Sequence, residues 1–304
     1  MTASGVTWKI GQDSAHNGTA QFDARNAGSW LQQGYKNVII SGDAGDGKCH
    51  FVLKDNSTLA GPGNCNNASG LRLSYIDFGK QPCNSGNSAL NFNPGHAVEV
   101  DHCMIYANGA TVNMFSYGQF DGTGYDQNSF HDNTVILPRG TNGMGPDAIG
   151  WSGTSPTTGG IAIYNNTFST YLTSSYTGSQ HQDGWQGGGG AYYKIYNNTF
   201  TDFSNYCIFG DPYGSGYSHF QLYGNTFSIS FPNGTQGVAM SATVDHPAID
   251  VNIHDNVATG FLFPFTFRNP VTSPLPAAFI NCSVTNNVSY NGGNNIIDPS
   301  ITQS

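Results

Sequence analysis

A chain of 304 residues with 10% charged side chains and a formal net charge of −9 excludes a nucleic-acid partner, which needs a basic patch to meet phosphates. The same charge disfavours a polyanion unless a metal ion mediates the contact. With a single glutamate against 40 glycines, 19 phenylalanines and 16 tyrosines, the composition is poor in surface-helix formers and rich in turn formers, as a chain of many short strands requires. No apolar run approaches membrane-spanning length. Met1-Thr2-Ala3 lacks the charged and apolar regions of a signal peptide, so the numbering is expected to follow a mature or expressed form.

Residues 1–36 carry no repeat and are expected to cap the fold, covering core and strand edges that a terminal coil would expose. Strands begin at Asn37-Val38-Ile39-Ile40, followed by runs at 49–53 and 70–78. From there each coil reads as a first strand followed by a second: 89–92 with 97–105, 112–115 with 129–136, 147–151 with 160–168, 183–186 with 193–200, and so on through 263–267. Residues 37–290 are therefore expected to form one continuous solenoid, with 291–304 as a tail.

The second strands share an ending. FHDNTV, IYNNTF (twice), LYGNTF, IHDNVA and VTNNVS place Asn133, Asn166, Asn198, Asn225, Asn256 and Asn287 at intervals of 33, 32, 27, 31 and 31 residues. A persistent period of this length signals stacked coils. Asparagine tolerates the left-handed dihedrals of a tight bend, and its amide bonds backbone, so these residues are expected to mark the bends and to stack as an internal ladder. Phe168, Phe200 and Phe227, two positions later, are expected to stack as an aromatic file in the core. The sequons at Asn165, Asn197 and Asn287 are by-products of the same motif. Among the six cysteines, Cys49–Cys65 and Cys83–Cys103 are the nearest neighbours; they read either as disulfides of an oxidising compartment or as buried thiols. Composition leans towards a secreted protein.

These bends, together with VEVDHCMI and HQDGWQ, resemble the right-handed parallel β-helix of the pectate-lyase-like superfamily, over roughly residues 37–290. The resemblance implies an all-β fold of three parallel sheets with an Asn-containing bend after the second. It further implies that a polysaccharide binds along the groove of the first sheet.

The sharpest constellation on that sheet is Asp147 and Asp183, which open the equivalent strands DAIGW and DGWQ. Side by side on an open wall, one carboxyl raises the other's pKa, giving the acid and base or nucleophile of glycosidic hydrolysis. Gln182-Asp183-Gly184-Trp185 is also similar to the N-T-D-G strand of polygalacturonase-like hydrolases, in which the aspartate is catalytic. The chain lacks that family's Asp-Asp pair, G-x-G-H-G turn and R-I-K strand. A second reading of Asp183-Gly184 is a strand opening at a turn, with the carboxylate bonding backbone amides.

His181 and Gln186 flank Asp183 and would assist it or bind sugar hydroxyls. Asp211 and Tyr213, in FGDPYGSGY, join Trp151 and Trp185 as candidate substrate contacts; Trp185 reads equally as core, because a one-residue slip of register reverses the faces. Arg139 and Arg268 would serve elimination from a uronate, a reaction that would also call on Ca²⁺ held by aspartates. Asp101-His102 resembles part of the W-I-D-H strand of pectate lyases, whose R-x-P-x-x-R element is absent. His102, His131 and His254 recur before or at the bend, which favours an exposed structural position.

The expectation is thus a secreted monomer that hydrolyses a polysaccharide without metal or cofactor. The alternatives are a calcium-assisted lyase and a non-catalytic glycan-binding or adhesion solenoid.

Overall fold

The computed structural model describes residues 5–10, 18–22, 34–53, 63–81, 90–92, 95–107, 115–117, 124–137, 147–151, 159–170, 182–210, 216–230, 236–268 and 278–304. Among them there is strand and no helix. Among the described residues, three sheets of nine, 13 and ten strands run along the molecule. The first sheet contains Ile149–Trp151, Asp183–Gly187, Tyr206–Gly210, Gln236–Ser241 and Phe263–Arg268. The second contains Glu99–Asp101, Ser129–His131, Gly159–Tyr164, Gly190–Tyr196, Tyr217–Tyr223 and Ala248–His254. The third contains Ile76–Gln81, Met104–Ala107, Thr134–Leu137, Thr167–Thr170 and Thr199–Thr201.

Each strand pairs in parallel with its counterpart one coil on, as in the row Ile163, Ile195, Leu222, Ile253. This is a parallel β-helix. The sheets extend beyond the expected limits at both ends. Thr7–Lys9 pairs with Lys36–Ser41 and Ala20–Phe22 pairs with Phe51–Leu53, while Ile296–Ile297 and Thr302–Gln303 continue the first and second sheets. These strands are two or three residues long, too short to carry a readable period.

The bends divide their work between two neighbours. The residue in the left-handed region is the one before the expected asparagine: Asp132, Asn165, Asn197, Asp255 and Asn286 have φ between 54° and 56°, with Gly224 at 64°, and His102, before Cys103, has φ 54°. The asparagine that follows turns inward as the rung. Asn133, Asn166, Asn198, Asn225 and Asn256 each donate the backbone N–H to the next coil's Asn Oδ1 at 2.9–3.0 Å. Each Nδ2 donates to a carbonyl of the preceding coil, for instance Asn198 to Ile163 at 2.9 Å. Cys103, at the same place one coil earlier, donates its N–H to Asn133 Oδ1 at 2.8 Å but has no amide with which to continue the ladder.

The aromatic file forms as expected, with ring centroids 4.7 Å apart for Phe168–Phe200 and 5.5 Å for Phe200–Phe227. Outside the core a second file runs His131, Tyr164, Tyr196, Tyr223, His254 at 4.6–5.1 Å. It places His131 and His254 at the last strand position, whereas His102 sits on the bend itself. Truncating Phe200 removes a fully buried ring between two others. Phe200→Ala is expected to cost about 3–5 kcal/mol, read as a fall in the thermal midpoint.

Cys49, Cys65, Cys103, Cys207 and Cys282 are free thiols, so Cys49–Cys65 is not a disulfide. Cys83 lies outside the described residues.

Candidate functional site

Asp147 and Asp183 are neighbours, as Ile149 pairing with Trp185 requires. The open wall expected around them is corrected: Asp147 is 7% exposed and Asp183 is fully buried. Each carboxylate serves the backbone of the next coil. Asp147 Oδ1 accepts the N–H of Asp183 at 2.9 Å, and Asp183 Oδ1 accepts the N–H of Tyr206 at 3.0 Å. The pair is a short carboxylate ladder where the chain enters the first sheet, the arrangement anticipated by the strand-opening reading of Asp183-Gly184. Burial pushes the Asp147 carboxyl up to about 7, because desolvation penalises the charged form. Gly184 follows tightly: a Cβ there would lie 2.4 Å from the Cys207 carbonyl oxygen and 2.6 Å from the Phe200 ring.

The proposed sugar contacts divide. Trp185 is core, packed against Tyr193 and Phe220 with centroids 5.4 Å away from each. Gln186 is half-buried on the following position, and Arg268 is half-buried at the end of Phe263–Arg268, three strands along the sheet. Trp151 ends its strand, and its side chain lies outside the described residues. His181, Asp211, Tyr213 and Arg139 also lie outside them.

Among the described residues, accessible chemistry gathers elsewhere, at the bend from the second sheet to the third. There a groove of about 460 Å³ is lined by Lys48, Cys49, Asp77, His102, Met104, Asp132 and Thr134, among others. The local sequence explains its shape. Asp77, Met104 and Thr134 stand in register on adjacent strands of the third sheet, and His102 and Asp132 are successive bend residues. The segment 43–50 bulges between two strands and brings Lys48 and Cys49 alongside. Asp77 and Asp132 belong to coils two steps apart, so stacked strands at ~4.8 Å put their backbones roughly 10 Å apart, with His102 on the coil between.

Behind the groove is an ion-pair cluster. Fully buried Asp101 accepts two bonds from Arg72, Nε at 2.9 Å and Nη2 at 3.0 Å, and faces His102 Nδ1 at 2.9 Å. His131 is held from both sides, Nδ1 to Asp132 at 2.8 Å and Nε2 to Glu99 at 3.2 Å. The Cys49 thiol, raised to about 11 by burial, is not the reactive thiolate that nucleophilic catalysis needs. Its Sγ–H donates to the His102 carbonyl at 3.4 Å.

Glu99, Asp101 and His131 bring three potential ligand atoms within 4.8 Å of one another. Two carboxylates and an imidazole do not fit calcium, which takes six to eight oxygens. The Arg72 guanidinium, 2.9 Å from Asp101 and 3.5 Å from Glu99, already supplies the positive charge.

His102 and Asp132 went unassigned as a site in the sequence, although they are 30 residues apart, one period, and both immediately precede a ladder position. Neither a scan against protein-family models nor a comparison with curated proteins finds a match. A parallel β-helix is a scaffold compatible with carbohydrate-active enzymes and with binding proteins alike.

Proposed function

We propose that the chain is a secreted, pectate-lyase-like carbohydrate-active enzyme, a monomer that hydrolyses glycosidic bonds of a polysaccharide lying in the groove at the second bend. One observation carries the reading: Asp77 and Asp132 line the same open groove from coils two steps apart, while the expected Asp147–Asp183 pair is interior. Hydrolysis needs a proton donor at the glycosidic oxygen and negative charge near the oxocarbenium-like carbon, and two separated carboxyls meet both needs. A neutral glycan suits the groove better than a uronate, since two carboxylates there face one lysine.

Screening neutral and acidic polysaccharides for release of reducing ends tests this. With the cleaved glycan, Asp77→Asn and Asp132→Asn are each expected to lower turnover by about 10²-fold or more while the fold persists. Release of an unsaturated, ultraviolet-absorbing product would establish elimination instead. Retention of glycan without cleavage would make the chain a binding solenoid.

A further inference from the structure

We infer that Arg72, Asp101 and His102 form a relay that fixes the His102 ring with its proton on Nδ1 and presents Nε2 to the groove as the base that activates water. The proposal rests on the hydrolytic reading above, which leaves water activation unassigned.

The geometry is that of a buried carboxylate orienting an imidazole. Asp101 ends the strand Glu99–Asp101, a position taken by His131, Tyr164 and Tyr196 on the following coils. Here a carboxylate stands at the head of the ring file, between Ser74 and His131 in register, and is fully buried. A buried charge requires partners, and Asp101 has two: the bidentate Arg72 guanidinium and His102 Nδ1. A carboxylate only accepts hydrogen bonds, so His102 donates through Nδ1. The lone pair of the neutral ring is then on Nε2, which no described residue bonds.

The ring is also clamped by its faces and edges. It stacks on Tyr75 at 4.6 Å and 13° and meets His131 edge-on at 6.4 Å, while its side chain stays 41% exposed.

The step balances without any outside reagent. Nε2 takes a proton from a groove water as the water oxygen bonds to the anomeric carbon. The glycosidic C–O bond breaks, and its oxygen takes a proton from a groove carboxyl. The imidazolium, stabilised by Asp101, then returns its proton through solvent to the carboxylate.

The decisive measurement reads the ring rather than the activity. Nitrogen-15 NMR of histidine-labelled protein, with the His102 signals assigned by their loss in His102→Asn, is expected to show the Nδ1–H tautomer. Asparagine is chosen because it tolerates the bend. Asp101→Asn is expected to mix the tautomers, whereas a wild-type ring protonated on Nε2, or one unchanged by Asp101→Asn, would overturn the relay. On a cleaved glycan, His102→Asn should lower kcat by about 10²-fold with little change in KM, and an unchanged kcat would remove His102 as the base. Were no polysaccharide cleaved, the hydrolytic reading would fall, and with it His102 as base, while the tautomer would still decide the relay.

Discussion

Asn198→Ala is expected to destabilise the protein by roughly 3–5 kcal/mol, a large loss for one polar side chain. Asn198 is 1% exposed and sits mid-ladder. Its Oδ1 accepts from the Asn166 backbone N–H at 3.0 Å and from Asn166 Nδ2 at 2.9 Å. Its Nδ2 donates to the carbonyl of Ile163 at 2.9 Å and reaches Asn225 Oδ1 at 3.0 Å. Truncation leaves the buried Asn166 N–H and the Ile163 carbonyl, both on the preceding coil, without these partners, and each orphan costs about 1–3 kcal/mol. Asn198→Asp should do no better, because its second oxygen would face the Ile163 carbonyl and Asn225 Oδ1. Asn287→Ala, at the less buried end of the ladder, should cost markedly less. Thermal midpoints of the three variants decide the matter: equal, small losses would mean that the ladder follows the fold without holding it.

The fold was legible because one physical requirement recurs once per coil. Every bend must reverse the chain and satisfy its amides, and few residues do this, so x-N-N-T-F repeats at nearly constant spacing. What the repeat could not separate was the two duties within it. Asn197 takes the left-handed dihedral and Asn198 the ladder, and where both are asparagine the sequence is silent on which is which. The coils with His102-Cys103 and Asp132-Asn133 resolve this, since only the second residue of each pair aligns with the inward file.

The site was less legible for two reasons. Whether Asp183 faces sugar or backbone is decided at the first position of its strand, where alternation has not begun. Its identity as an aspartate before glycine suits either role. The groove was hidden differently: Asp77, His102 and Asp132 lie on three coils, and only the register of the third sheet, together with the 43–50 bulge, gathers them. Trp185 illustrates the same limit, since a single residue of register separates a sugar platform from a core ring.

The buried carboxylate of Asp147 makes a claim on stability that is opposite in sign to the usual one for an acidic residue. Its folded-state pKa, about 7, lies above the ordinary value of about 3.9 for an unfolded chain. Between these values the folded protein holds a proton that the unfolded chain has released, so stability falls as pH rises. The contribution is fully present below the unfolded-chain value, about pH 4, and is lost as pH rises to about 7. Asp147→Asn keeps a side-chain oxygen for the Asp183 N–H, 2.9 Å away in the native pair, and cannot ionise. The variant is therefore expected to match the wild type near pH 4.5 and to be more stable at pH 8, with a flatter thermal midpoint across the range. A wild-type advantage that is the same at both pH values would show instead that the carboxylate is ionised throughout and that its bond to the Asp183 amide outweighs its burial.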